Sequence, residues 1–245
     1  PSSLVSAFNG EIEVALVYWA YLCTPRVVLH ACDVCTRFSV AAIVADREGA
    51  TLLNTIVNFW FRIFGSPRQI TSDGESGLDT EMATAWADRW GTKLHIRPVG
   101  AKAPVVERHH VLLRSALHKI AGQIEEEGLN VPVESLLSEA VFAKSALTCV
   151  HGYSPYQAVF GRQPRLLSDF EASSTVMVDD EDGPPGSSRH VQRLREIALQ
   201  AILSGYARDR LERADRSKSR MALQTLKLQV GDLVDVFRKP ANKDV

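Results

Sequence analysis

Two carboxylates, Asp73 and Glu107, occupy positions from which they could bind a divalent metal ion. Asp73 ends the short strand pattern "RQITSD", and Glu107 opens a helix pattern directly after the small-residue loop "GAKAPVV". Phosphodiester chemistry commonly uses two metal ions, held by a few carboxylates that converge at strand ends. If the loop brings Glu107 towards Asp73, the two acids form such a site. The plainer interpretations are an Asp-Gly turn at Asp73 and a dipole-stabilised first helical turn at Glu107.

Basic residues follow Glu107 along the same helix face, at steps of three and four residues. The candidate nucleic-acid-binding residues are Lys102, His110, Arg114, His118 and Lys119. A basic surface beside a metal site suits a phosphate backbone, although a solvated helix face gives the same pattern. The opposite side of this helix, with Leu113, Ala116, Leu117 and Ile120, is expected to be buried.

Composition sets limits on the function. The 245 residues suffice for one substantial domain with appendages, and a net charge of -1 means that nucleic-acid binding would depend on local patches. No apolar run approaches the length of a membrane span. The "CDVC" motif of Cys32 and Cys35 lies in an apparent strand without a second Cys/His pair, which argues against zinc or redox chemistry.

The elements that must position these residues form an α/β pattern. Residues 11–23 and 26–45 predict a hairpin of two long strands, with its turn at "CTPR". Helix patterns ending at Gly65 and Gly91 alternate with short strands, and two further helices follow. The order predicts one mixed central sheet flanked by helices.

The C-terminal third predicts three further segments. Residues 168–188 are acidic and rich in Gly, Pro and Ser, as in a flexible linker, and residues 189–223 form a basic helix pattern. Residues 224–245 are similar to the first strand of a small β module that stops before it closes. The chain also begins without Met, so we expect it to be a piece of a longer protein.

Several blocks together resemble the DDE-type catalytic core of retroviral and long-terminal-repeat retrotransposon integrases, which has a ribonuclease H-like fold. They are "VVLHACDVCTRFSVAA", "ITSDGESGLDTEMATAWADRWG", "RPVGAKAPVVERHHVLLRSAL" and "GYSPYQAVFGRQP", while "VGDLVDVFRK" resembles the opening of the SH3-like C-terminal barrel. The resemblance implies an integrase core over residues 1–167, encoded within a polyprotein.

Carried over residue by residue, the resemblance makes Asp73 the second catalytic acid and Glu107 the third. The 33 residues between them are slightly fewer than is usual in the family, and Pro104 stands where relatives place a Gly. The first acid is missing, because "EIEVALVYW" places Ala15 where the family has Asp. Asp33 lies in the second-strand block, where relatives often carry an Asp that does not bind metal. Ala15 is therefore interpreted as a lost ligand.

The resemblance also implies a function. Integrases trim DNA ends and join them to target DNA by two-metal phosphoryl transfer with Mg²⁺ or Mn²⁺, as multimers, and act in the nucleus on host DNA. The loss at Ala15 predicts that this copy has little activity. Two alternatives stay open: a non-catalytic DNA-binding or scaffolding module descended from such a core, and a related nuclease that uses Asp33.

Overall fold

The computed structural model describes residues 7–73, 77–98, 104–150, 152–167 and 188–216. Five strands form one mixed sheet in the order β3-β2-β1-β4-β5. The strands are β1 (Glu11–Tyr21), β2 (Thr24–Asp33), β3 (Ser39–Val44), β4 (Gln69–Ser72) and β5 (Lys93–Ile96). Strands β1, β2 and β3 form an antiparallel meander, whereas β4 runs parallel to β1 and β5 parallel to β4. The mixed, helix-flanked sheet predicted from the sequence is confirmed.

Helices cover both faces of the sheet. They are α1 (Gly49–Ile56), α2 (Arg62–Phe64), α3 (Glu81–Arg89), α4 (Pro104–Glu126), α5 (Val133–Leu147), α6 (Pro155–Phe160) and α7 (Ser188–Arg216). A π-helical turn, Val57–Phe61, joins α1 to α2. The predicted helix stop at Gly65 is present, with φ +76°, and Gly91 follows α3 with φ +64°. Both glycines have the positive φ that glycine adopts readily at a helix end, although Gly65 combines it with an extended ψ of 179°.

The second predicted strand is in fact two, and the hairpin turn before it is shifted. Residues 26–45 break after Asp33, whose carboxylate accepts hydrogen bonds from the Thr36 backbone N (2.6 Å) and Oγ1 (2.8 Å). This local turn competes with strand continuation, and Arg37 completes it with φ +66°. The hairpin turn lies at Leu22 and Cys23, both with positive φ, so Pro25 already belongs to β2.

Alternation along β1 separates two apolar layers. Ile12 and Val14 face the layer that contains α1 and Trp60, while Val17 and Trp19 face α4, α5 and α7. The predicted buried side of α4 is confirmed, since Leu113, Ala116, Leu117 and Ile120 are all buried. The sheet face towards α4 is therefore the one that carries the odd-numbered residues of β1.

Helix α7 packs its first part into the core. Its buried side chains are Leu194, Ile197, Ala198, Leu199, Ala201 and Ile202. Two of its arginines are engaged in ion pairs, Arg193 with Glu127 and Arg195 with Glu139. The chain divides into two compact units, Pro1–Arg208 and Asp209–Val245, and the packed part of α7 belongs to the first. The predicted linker up to residue 187 and the β module lie outside the described residues.

Across the described ranges, no helix combines the length and apolarity needed to cross a membrane.

Candidate active site

The paired register of β1 and β4 ends one residue before Ala15 and Asp73. Strands β1 and β4 are parallel, with Glu13 opposite Thr71 and Val14 opposite Ser72 as the last pair, and Ala15 and Asp73 are the residues that follow this pair in the two segments. Paired residues of neighbouring strands point to the same face. Asp73 is half-buried and follows the last residue of β4, at the carboxyl end where ligands bind in open α/β sheets.

The first turn of α4 lies on that same face. The Glu13 carboxylate oxygen Oε2 accepts hydrogen bonds from the backbone N of Val105 and of Val106, both at 2.8 Å. Val106 is fully buried and packs against Ala15. The adjacent Glu107 keeps 34% of its side chain exposed. Ala15 and the first turn of α4, which carries Glu107, therefore lie on one face of the sheet, and the roles of Asp73 and Glu107 as catalytic metal ligands stay a prediction.

Position 15 is closed by apolar packing. Ala15 is only 1% exposed and lies in a small cluster with Cys32 and Val106. In the part of the chain that the structure describes, no three His, Cys, Asp or Glu side chains are grouped so that they could hold a metal ion. The described residues therefore do not fit a two-metal centre at this position, because the Ala15 methyl group beneath Val106 offers no ligand.

Glu13 is the residue that sequence reasoning missed. Burial raises the pKa of its carboxyl, and the two Val105 and Val106 amides oppose that rise by favouring the charged form. Arg97 approaches the other carboxylate oxygen at 3.4 Å. We call the contact of Glu13 with the two amides the Glu13 clamp. The available signal in the sequence was the alternation of Glu11, Glu13 and Ala15 on one strand face, which puts Glu13 two positions before Ala15.

A buried polar cluster lies next to this site, between β2 and helices α4 and α5. His30 is opposite Ala15 in the β1–β2 register, and its ring lies 5.1 Å from that of His110. Neither ring nitrogen of His30 has a hydrogen-bond partner within the described residues. Lys144 is fully buried and donates to Ser39 Oγ at 2.6 Å. Burial lowers the pKa of Lys144 and of His30, and it lowers that of His110 to about 4.

The predicted basic stripe is only partly exposed. His110 is 3% exposed, with its Nδ1 4.0 Å from Glu107 Oε1, because the α4 face that carries it turns towards β2. Arg114 and His118 face solvent, as expected. Lys119 is half-buried and donates to Ser204 Oγ at 2.9 Å. Lys102 lies outside the described residues.

Asp33 lies on the other side of the sheet. It is opposite Ile12, which faces the α1 layer, and its carboxylate accepts from the backbone N of Asn9 at 2.9 Å as well as from Thr36. Ala15 lies three steps further along β1 than that register position, which is about 10 Å of strand. These contacts hold a turn, and they place Asp33 away from Asp73, which disfavours the nuclease alternative.

Comparison with known proteins shows what this arrangement is similar to. Neither a protein-family model nor a curated protein sequence matches the chain. Two solved structures of the HTLV-2 integrase catalytic core domain in complex with magnesium are similar. The dimeric form has 12% sequence identity, covers 62% of this chain and 96% of its own, and gives a TM-score of 0.53. The trimeric form has 13% identity, covers 63% of this chain and 97% of its own, and gives a TM-score of 0.52.

A third similar structure is the simian T-cell lymphotropic virus intasome in complex with PP2A regulatory subunit B56 gamma. Its identity is 16% over 65% of this chain and 56% of that one, with a TM-score of 0.55. At these identities the similarity concerns the fold. The chain therefore has the ribonuclease H-like fold of retroviral integrase catalytic cores.

Proposed function

We propose that this chain is the integrase core of a retrotransposon, built for DNA 3′-end processing and strand transfer but depleted of one catalytic acid. The proposal is supported by the integrase-like fold and by the packing of the first turn of α4, which carries Glu107, on the β1 face of Ala15, with Asp73 following the neighbouring strand β4. The partners would be element ends and target DNA, and the site of action the nucleus. Similar structures include dimeric, trimeric and intasome forms, which supports self-association.

The rates of 3′-end processing and strand transfer would be strongly reduced. Phosphoryl transfer of this type depends on Mg²⁺ or Mn²⁺ to neutralise developing charge. Asp73 and Glu107 supply two carboxylates, whereas Ala15 supplies none and is buried beneath Val106. Asp73 and Glu107 are the remaining candidates for holding a single ion, and similarity to a magnesium-bound integrase core supports that choice of metal.

Strand transfer tests the proposal. The chain, its Ala15→Asp variant and the size-matched Ala15→Asn control would be compared for joining of processed DNA ends in Mg²⁺. We expect a gain of at least about 100-fold for Ala15→Asp and none for Ala15→Asn, because only the carboxylate restores a ligand. A wild-type rate equal to that of Ala15→Asp would contradict the proposed loss of activity.

A second candidate function is a non-catalytic DNA-binding or scaffolding module. The Glu13 clamp favours it, since two direct hydrogen bonds hold the start of α4 on the sheet without a metal ion. Arg114 and His118 are the exposed residues of α4 expected to contact phosphates. A module of this kind binds DNA with an affinity that falls steeply with salt, and Ala15→Asp leaves that affinity unchanged.

A further inference from the structure

A cavity of about 380 Å³ opens where α5, α6, the segment after α6 and α7 meet. Its floor is aromatic, with the ring of Phe142 6.1 Å from that of Tyr156 and nearly perpendicular to it. Arg195 closes one side, its guanidinium 4.7 Å above the Phe142 ring. The volume lies within the range of small-ligand sites.

The cavity is held in shape by contacts outside it. Arg195 donates two hydrogen bonds to Glu139, at 2.9 and 2.8 Å, so that its position is fixed and its charge is compensated. Helix α6 begins with a capping box formed by Ser154 and Gln157. It ends at Gly161 with φ +69°, which turns the chain into the cavity wall.

Two further cations in the wall have no such compensation. Arg162 and Arg165 are exposed, and neither pairs with an acidic side chain in the described ranges. Among the described residues, the cavity lining holds three guanidinium groups and no carboxylate, and only that of Arg195 is paired, with Glu139 outside the lining. Guanidinium groups match phosphate oxygens in charge and geometry, and aromatic rings accept a stacked base.

We propose that this cavity, which we name the Arg162–Arg165 pocket, binds a phosphodiester-linked nucleotide of a DNA strand. The phosphate would lie between Arg162 and Arg165, and the base or sugar against Tyr156. An acidic peptide would use the arginines but not the aromatic floor, so the observations favour nucleic acid. The inference rests on the proposed function and adds a DNA contact that does not use Asp73 or Glu107.

The test is fluorescence anisotropy with a fluorescein-labelled single-stranded oligonucleotide across a series of KCl concentrations. We expect Arg162→Ala/Arg165→Ala to lower affinity at low salt about tenfold or more, and to reduce the salt slope by about 1.4, since each phosphate contact contributes about 0.7. The matched control, Arg62→Ala/Arg89→Ala, removes two exposed charges elsewhere and should change the affinity less than threefold. Gln163→Glu, which adds a negative charge to the wall, should weaken binding without removing either arginine.

Three other outcomes would overturn the proposal that the Arg162–Arg165 pocket binds DNA. An equal loss in both double variants would show a nonspecific charge effect, and unchanged binding in the pocket variant would place the DNA contact elsewhere. Arginine-dependent binding of poly-glutamate with no binding of the oligonucleotide would identify an acidic peptide site. Any of these results leaves the strand-transfer test of Ala15→Asp unaffected, so failure of the pocket and failure of the proposed function are distinguishable.

Discussion

Removing the Glu13 clamp by Glu13→Ala should destabilise the protein markedly. The carboxylate makes two 2.8 Å hydrogen bonds to the amides of Val105 and Val106, and hydrogen bonds to charged groups contribute about 1.5–3 kcal/mol each. Burial raises the pKa of Glu13, which shows that the ionised form carries a desolvation cost and argues for the low end of that range. We therefore expect a loss of about 3 kcal/mol at neutral pH.

Glu11→Ala is the matched control. Glu11 lies on the same face of β1 and is half-buried, but its carboxylate accepts from side chains, Thr71 Oγ1 at 2.7 Å and Gln69 Nε2 at 3.2 Å. Its loss exposes no backbone amide, and we expect a cost of about 1 kcal/mol. Urea denaturation should show a midpoint shift of about 1 M or more for Glu13→Ala, and clearly less for Glu11→Ala.

Hydrogen exchange gives the specific readout. Amides of a first helical turn lack partners within the helix, so protection of the Val105 and Val106 amides depends on Glu13. Glu13→Ala should accelerate their exchange strongly, and Glu11→Ala should not. Equal destabilisation by both variants, or fast exchange of these amides in the wild-type protein, would refute the clamp.

Two further predictions concern the surroundings of the site. Gly77 has φ +73°, and an added Cβ would lie 2.5 Å from the Arg47 carbonyl oxygen. Gly77→Ala should therefore lower the free energy of unfolding, measured by thermal denaturation, by about 2–4 kcal/mol. Gly91→Ala, with similar φ and open space, should cost only about 1 kcal/mol; equal costs would contradict the close approach. Because burial lowers the pKa of His110 from 6.5 to about 4, the unfolded chain binds its proton first, and the free energy of unfolding falls as pH drops from 6.5 towards 4. Between pH 7 and 5, His110→Asn should therefore lose about 2 kcal/mol less of its free energy of unfolding than the wild-type protein does. The control His118→Asn, at an exposed position, should show the same loss as the wild type. Identical pH profiles for the two variants would contradict the role given to His110.

Much of the fold could be predicted because it depends on local patterns. Glycines after the apolar periodicity end helices at Gly65 and Gly91, and the buried stripe of α4 follows from its spacing. The break at Asp33 was not predicted, because it depends on a side chain that bonds the backbone three residues later. A hydrophobicity pattern carries no sign of that turn, since strongly apolar strand residues flank it on both sides.

The site was predicted less completely, because tertiary packing decides which polar residues are buried. His110 falls on the basic face of α4 in sequence, yet β2 supplies His30 as its neighbour and excludes solvent. Arg193 and Arg195 count as basic helix residues in sequence, whereas Glu127 and Glu139 neutralise them in the fold. Glu13 can be recognised as a residue of this site only from the packing of α4 on β1, which brings the Val105 amide to its carboxylate.

Manganese affinity measured by electron paramagnetic resonance tests most directly whether position 15 shares a cation site with Asp73 and Glu107. The wild-type chain should bind Mn²⁺ weakly, and Ala15→Asp should bind at least about tenfold more tightly, despite the cost of a carboxylate at a buried position. Adding Asp73→Asn or Glu107→Gln to Ala15→Asp should abolish that gain. A folded Ala15→Asp protein with wild-type affinity, or a gain that survives both added substitutions, would contradict the shared site.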